Sequence, residues 1–305
     1  MGRRYDTISF LTDYGTTDEF VGVVKSVIRD IASHAVVIDL THGIAPFDIR
    51  AGSLALARAI SYVPSGVVLA SVDLGIGSVR RCIAIEVADG EGVIVGPDNG
   101  LLAPAVAMAG GAGRAVVLDN AEFHLAAPGA PFAGRDILGP VAAHLCNGVD
   151  LMELGEEIDP VLLLPATVPL PRDEADALIA EVLWVDRFGN VQLNVGPDEV
   201  ARFGEHIRVS VGELHGTPMS RVGRRVETFE KLGNGAVALI VDSYGMIAMC
   251  IEGRSAAAEL QVGPSDQVVL EAIEDDNPDG GGSDGSGVVA QSVSITRPVN
   301  LRITR

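Results

Sequence analysis

Cysteine and lysine are scarce in this chain of 305 residues, and no long apolar run interrupts it. The three cysteines, Cys82, Cys146 and Cys250, are odd in number, widely spaced and set among apolar neighbours. They offer neither a disulfide framework nor a metal-ligand pair, and suit reduced core thiols in a cytoplasmic protein. No stretch reaches the ~18 apolar residues needed to cross a bilayer. In the opening MGRRYDTISF, Asp6 breaks any apolar segment behind the two arginines, so no signal peptide is expected. Lysine occurs only as Lys25 and Lys231, a bias toward arginine that carries no functional weight. Positive charge is itself the minority: the formal net charge of −19 repels nucleic acid and anionic membranes, and neither is expected as a partner. It is compatible with a cationic small molecule. The first strand-to-helix turn lacks a G-x-G-x-x-G fingerprint, which argues against an ordinary dinucleotide site.

What is present divides the chain in two. TISFL (7–11), VVIDL (36–40) and GVVLASVD (66–73) read as buried strands. Helical patterns intervene: Phe20, Val23, Val24, Val27, Ile28 and Ile31 recur with helical period, and residues 50–62 form a second helix. Thr16 and Glu19 have the spacing of a capping box for the first of these. CIAIEV and GVIV read as a hairpin, AVVL (115–118) as a further strand and 135–147 as a helix. This alternation predicts an α/β N-terminal domain with a largely parallel sheet over residues 1–158. Residues 159–177, rich in proline, read as a linker. From 178 to 305 short strands follow one another between Gly, Pro, Asn and Asp turns, with a brief helical piece near 196–203. They predict an antiparallel β-barrel domain. The acidic, glycine-rich segment 274–287 is expected to be a disordered loop, with a last strand behind it.

Ligands of parallel sheets gather beyond the carboxyl ends of strands, where Asp13, Asp39 and Asp73 fall. An ionised Asp13 offers two acceptor oxygens, enough for both hydroxyls of a ribose, and Asp18 is placed to face a cation. LTDYGTTDE reads equally as a polar turn. In THGIAPFDIRAG, Phe47 suits a flat base or sugar but also a core plug, and His42 suits a ligand or, more often in such a loop, a hydrogen-bonded structural residue. GPDNG (96–100) is a turn signal. In PFAGRD (131–136), Gly134 permits close backbone approach, while Arg135 and Asp136 pair or cap. Phe188 and Asn190, across a tight glycine, suit adenine by stacking and hydrogen bonding, or else form a hairpin corner. DSYG (242–245) is equally open. SVDLGIGSVRR (71–81) sets the carboxylate of Asp73 seven residues from Arg80, and a turn needs neither charge.

In this order FLTDYGTTDEFVG, IDLTHGIAPFDIRAGSLALA, VDLGIGSVRRCIAIE, VGPDNGLLAPA, FAGRDILGPVAAHL, DRFGNVQLN and DSYG resemble the S-adenosylmethionine hydroxide adenosyltransferase family. Its relatives include bacterial fluorinase and chlorinase. The likeness runs from residue 7 to about residue 270 and leaves out the acidic insertion. It implies a homotrimer whose active sites lie between one subunit's N-terminal domain and its neighbour's C-terminal domain. The implied reaction is attack on C5′ of S-adenosylmethionine, giving adenosine and methionine when water is the nucleophile. S-adenosylmethionine is then the substrate, and no cofactor or metal is implied. The resemblance assigns the ribose to Asp13, the methionine end to Asp18, and the sugar and sulfonium side to Phe47. It assigns adenine to Phe188 and Asn190 of the neighbouring subunit, and the methionine carboxylate or amine to Ser243 with Tyr244.

Hydrolases of this kind pair an aspartate and an arginine seven residues apart, as Asp73 and Arg80 are, with a histidine in an FHGRD-like segment. Halide-using relatives lack the pair. Arg80 would favour hydroxide character while Asp73 orders the water, and opposite charges ~4 Å apart attract by about 4 kcal/mol at an effective dielectric near 20. Arg81 is either a further anion contact or a solvent-facing residue. Ala133 stands where the pattern has histidine. Three readings follow: the pair suffices at a slower rate, His124 substitutes, or the protein binds S-adenosylmethionine without turnover. A halide adenosyltransferase is disfavoured by the pair. A phosphotransfer enzyme using Asp13 is disfavoured because no second aspartate follows at metal-site spacing.

Overall fold

The computed structural model describes residues 4–73, 75, 80–129, 131–212, 219–228 and 235–273. The first half runs β1 (Thr7–Thr12), α1 (Phe20–Ile31), β2 (Val36–Thr41), α2 (Ile49–Ile60), β3 (Val67–Ser71), β4 (Cys82–Val87), β5 (Gly92–Pro97), α3 (Ala103–Met108), β6 (Ala112–Val117) and α4 (Gly139–Cys146). Its sheet has the order β2-β1-β3-β5-β4-β6. The β1–β2, β1–β3 and β3–β5 pairs are parallel, and β4 runs antiparallel to both its neighbours. Successive residues of β3 serve opposite faces, as strand geometry requires. Val67 and Leu69 join the core under α1 and α4, while Val68 and Ala70 join the core under α2 and α3.

Two local expectations meet competition. The capping box at Thr16 and Glu19 does not form: α1 starts at Phe20, and its N-cap Glu19 makes no side-chain cap bond. The chain before it is held instead by Tyr14 N–H to Thr12 Oγ1 and Gly15 N–H to the His42 carbonyl. The helix expected over 135–147 begins with a π-turn, Gly134–Leu138, before α4. Pro140 has no N–H to donate to the Asp136 carbonyl, and Leu125 N–H takes that acceptor at 2.8 Å.

The second half contributes β7 (Arg172–Glu174), β8 (Ala177–Val185), β9 (Val191–Leu193), α5 (Pro197–Ala201), β10 (His206–Val211), β11 (Met219–Arg225), β12 (Val237–Val241), β13 (Ile247–Ile251), α6 (Ala256–Leu260) and β14 (Gln267–Ala272). Strand order is β14-β10-β11-β12-β13-β9-β8-β7, and β14 also pairs with β8, which closes a seven-strand barrel with β7 outside it. The barrel is mixed rather than wholly antiparallel, because β11 and β12 pair in parallel. Its interior is filled by alternate residues such as Leu178, Ala180 and Val182 of β8 and Ile207, Val209 and Val211 of β10. β7 lies within the stretch expected as a linker. The acidic segment 274–287 and the expected last strand lie outside the described residues.

Candidate active site

Thr12 and Ser71 are register partners at the ends of β1 and β3, so Asp13 and Asp73 leave the sheet side by side. Asp13 N–H donates to the Ser71 carbonyl at 3.3 Å. Its Oδ2 accepts from Phe47 N–H at 3.0 Å and from Asp73 N–H at 3.3 Å. One carboxylate thus fastens the loops that follow β2 and β3. Both residues it holds are strained, Phe47 at φ +67° and Asp73 at φ +46°. Left-handed backbone costs about 1–2 kcal/mol for a residue with a Cβ, and charge-assisted hydrogen bonds offset it. The result presents the Phe47 ring to solvent, 74% exposed.

Asp73 and Arg80 meet. Arg80 Nη1 lies 2.5 Å from Asp73 Oδ2 and also donates to the Asp73 carbonyl at 2.9 Å. Among the described residues, Asp73 Oδ1 accepts a long bond of 3.3 Å from Gly75 N–H, and a carboxylate oxygen has two lone pairs to offer. Asn99 Nδ2 donates to the carbonyls of Val72 and Asp73, each at 3.0 Å. Arg81 turns to Asp98, with Nη2 2.6 Å from Oδ2, and is therefore engaged with a buried carboxylate rather than free at the surface.

Tyr14 closes the floor. Its Oη is 2.8 Å from Ser71 Oγ, and its ring packs edge-on against Phe20 and Phe132. Burial pushes its phenol far above the ordinary value, so it remains a hydroxyl. A Cβ at Gly134 would come within 2.1 Å of that oxygen, so the close approach that Gly134 permits is Tyr14's. Arg135 and Asp136 pair with each other at 2.5 Å. Ala133 precedes the π-turn and offers no polar atom. His124 is hydrogen-bonded to the Leu118 backbone and lowered in pKa by burial, and its Nε2 is buried without a partner among the described residues. Asp18 stands exposed before α1. Asp39 turns from the strand ends to Lys25, 2.9 Å away. His42 is buried, with Nδ1 2.8 Å from Thr12 Oγ1.

The barrel residues form a separate group. Phe188 is 77% exposed at the β8–β9 turn, and the Asn190 amide donates to Asp186 Oδ2 at 2.8 Å. Ser243 and Tyr244 are exposed on the β12–β13 turn, which Asp242 Oδ1 braces by accepting from the backbone of Tyr244 and Met246. By register Val191 faces Met249, so these two turns stand at opposite ends of β13. At ~3.3 Å per residue its five residues separate them by roughly 16 Å. Within one chain β8 runs beside α2: Glu181 Oε1 lies 2.6 Å from Arg50 in the first turn, and Trp184 stacks under Arg58 in the last, 4.1 Å away. The Phe188 hairpin therefore continues away from the end of α2 that carries Phe47. A cleft of about 760 Å³ lies between α2, β2 and the barrel; Arg58, Trp184 and Tyr244 line it, and Asp13, Phe47 and Asp73 do not.

Sequence reasoning passed over Tyr14, Ser71 and Asn99. The GPDNG block announced a turn, but an asparagine with two amide hydrogens is also suited to tie two carbonyls.

Paired carboxylates at parallel strand ends, a guanidinium beside one of them and a closed barrel bearing an exposed aromatic define an α/β protein with a fused β-barrel. The chain belongs to the SAM hydroxide adenosyltransferase family: residues 8–155 match its N-terminal domain and residues 180–269 its C-terminal domain. It is 42% identical to the (R)-S-adenosyl-L-methionine hydrolase of Salinispora tropica, over 87% of this chain and 97% of that one. The enzyme of the same name from Thermus thermophilus is 38% identical, over 83% and 94%. A fluorinase from an Actinoplanes species is more distant, at 23% over 79% and 89%. The crystal structure of an uncharacterized conserved protein from Thermotoga maritima superposes with a TM-score of 0.78 at 32% identity, covering 86% of this chain and 99% of that one.

Proposed function

We propose that the protein hydrolyses S-adenosyl-L-methionine at C5′, releasing adenosine, methionine and a proton. The observation that carries this is the Asp73–Arg80 contact at the strand ends, 2.5 Å long and only partly exposed. Water bound to Asp73 Oδ1 donates a hydrogen bond and is turned toward the substrate, while the adjacent guanidinium favours loss of its proton. Its oxygen attacks C5′, the carbon–sulfur bond breaks, and the bond's electrons leave with sulfur as a neutral thioether. The sulfonium is already activated, so this chain's residues need only aim the water and hold the sugar. Asp13 holds the ribose hydroxyls, Phe47 covers the sugar and sulfonium, and Asp18 faces the methionine end. Gly134 keeps the backbone and Tyr14 close beneath them. The names of the similar hydrolases support the (R)-sulfonium diastereomer as the form consumed.

Adenine stacks on Phe188 and is read by Asn190, while Ser243 and Tyr244 take the amino-acid end. The separation of those turns along β13 suits a ligand with a base at one end and an amino acid at the other. Because the chain's own Phe188 hairpin leads away from Asp13, the barrel residues come from a neighbouring copy, in a homotrimer. Three free cysteines, with burial pushing Cys82 to about 11 and Cys146 and Cys250 to about 12, suit the reducing cytoplasm. No described helix is long and apolar enough to cross a membrane.

The test is turnover of sulfur-epimerised S-adenosylmethionine in oxygen-18 water. The expected product is adenosine labelled at O5′, with the (R) form consumed first. Unlabelled adenosine, or substrate bound and left intact, overturns hydrolysis. Binding without turnover is the second reading, motivated by Ala133 where the resemblance expects a histidine. A 5′-halo product in added halide would identify an adenosyltransferase instead.

A further inference from the structure

We propose that the Asp98–Asn99 turn after β5 is the positioning device of the Asp73–Arg80 pair, an inference that rests on the hydrolase reading. Two consecutive residues of one turn fasten both ends of the segment that carries the pair. At the leading end, Asn99 Nδ2 donates to the Val72 and Asp73 carbonyls, each at 3.0 Å, while its own Oδ1 accepts from Leu101 N–H at 3.0 Å. The asparagine is thus used on both sides of its amide, which fixes its orientation. At the trailing end, Asp98 Oδ2 is 2.6 Å from Arg81 Nη2, and Asp98 N–H donates to the Arg81 carbonyl at 2.9 Å. Asp98 is 5% exposed, and its second oxygen accepts from Leu164 N–H at 2.8 Å. It too is locked before it reaches the loop.

Such a device has a purpose because Asp73 sits at φ +46°, a conformation uncommon for any residue with a Cβ, although aspartate tolerates it better than most. Left to itself the residue would relax toward negative φ and swing its carboxylate off the line of attack. Arg80 Nη1 and Asn99 Nδ2 converge on the same Asp73 carbonyl, so the peptide is clamped from both the acid's partner and the turn. Asn99 touches no reacting atom. It acts through Asp73, and Asp98 acts through Arg81 on the neighbouring Arg80. A misplacement of about 1 Å at a nucleophile can cost on the order of a hundredfold in rate, which is the scale on which this clamp operates.

The experiment compares Asn99→Ala, the milder Asp98→Asn, and Asn99→Ala combined with Asp73→Ala, all in the full chain. Asn99→Ala is expected to lower kcat about 10- to 100-fold with KM for S-adenosylmethionine within twofold. Asp98→Asn, which keeps an acceptor for Leu164, is expected to lower it a few-fold. In the Asp73→Ala background, Asn99→Ala should cost nothing further, because the group it positions is gone. An equal loss in both backgrounds, an unchanged kcat, or a rise in KM alone overturns the proposal. Hydrogen exchange at the Asp73 and Gly75 amides provides a readout free of turnover: it should quicken in Asn99→Ala, and unchanged rates overturn the clamp even if activity falls. Should the wild-type chain release no adenosine, the hydrolase reading fails on its own, and exchange alone decides whether the turn holds Asp73.

Discussion

The ends of the parallel sheet and the rim of the barrel both present side chains to the same proposed ligand, but they are held in opposite ways. At the sheet, Asp13 accepts from two loops, Arg80 grips Asp73 twice and Asn99 ties the carbonyls behind it. At the barrel, the Phe188 ring stands in solvent and the Asn190 amide is turned back on Asp186. Aiming a nucleophile demands a fixed geometry before the substrate arrives. Gripping a flat base demands an open face until it arrives. In the proposed reading, the half that does chemistry is braced within one chain, and the half that grips is left open.

The largest effect expected from that contrast is at Asp73. Asp73→Ala should lower kcat about a thousandfold or more while S-adenosylmethionine still binds within a few-fold of its original affinity, measured by calorimetry. Equal losses in turnover and binding would make Asp73 a structural residue and erase the contrast. Phe188→Ala should do the reverse. Loss of one stacked base is worth about 1–3 kcal/mol, so KM should rise roughly 10- to 100-fold with a smaller change in kcat. The two defects can then be set against each other. Assayed at S-adenosylmethionine well below the raised KM, co-refolded Asp73→Ala and Phe188→Ala chains regain wild-type turnover at about a quarter of the sites if each site is shared between subunits, and at none if each is built within one chain.

Most of the sheet was legible because its strands are apolar runs bounded by turn residues, and β4 and β5 read directly as a hairpin. The barrel's existence was legible, but its mixed pairing was not. β11, MSRVGRR, shows no apolar alternation, and Val222 in it is exposed. Its place is set by packing: a Cβ on Gly223 would meet Leu239 at 2.9 Å and Val209 at 3.0 Å, a closeness that only the fold reveals. The pairing of Asp73 with Arg80, which the proposed site rests on, could be expected from resemblance, and the two side chains do meet. Their supports could not be expected. Tyr14 read as part of a polar turn because burial by Phe20 and Phe132 is a tertiary fact. Asn99 was hidden for the same reason, since sequence separation of 26 residues says nothing of which carbonyls an amide will reach.

Gly134 separates support from contact at the next scale down. In Gly134→Ala the new methyl meets Tyr14 Oη at 2.1 Å, so either the ring or the π-turn must shift. Overpacking of this kind costs about 1–3 kcal/mol, and the melting temperature should fall by several degrees. Adding Tyr14→Phe removes the offending oxygen and leaves Cζ at 3.1 Å, so part of the loss should return. Full recovery is not expected, because the Ser71 hydroxyl then loses its 2.8 Å partner. If Tyr14→Phe brings no recovery at all, the constraint on Gly134 comes from the ligand side and not from the floor.

The smallest expected effect tests how far the rigid region extends beneath the strand ends. Behind Asp13, Thr12 Oγ1 contacts His42 Nδ1, and His42 Nε2 lies 3.2 Å from Asp39 Oδ1, which pairs in turn with Lys25. Burial alone would raise the Asp39 carboxyl, but the hydrogen bonds from Lys25 and His42 hold it below its ordinary value. A carboxyl depressed on folding stabilises the protein above its unfolded pKa and loses that contribution as pH falls through the folded pKa. Lys25 and Asp39 are both more than a third exposed, so the pair is worth at most about 1 kcal/mol. Lys25→Met should therefore lower the melting temperature by roughly 2–4 °C or less at neutral pH. The deficit should shrink in 1 M salt and disappear in acid, where the wild-type carboxylate is also protonated. Turnover should not change, because the rigid frame of the site is closed by Asp13, Asn99 and Tyr14 and needs nothing from beyond His42. A tenfold fall in kcat would show that it does, and would move the boundary between the two regions outward to α1.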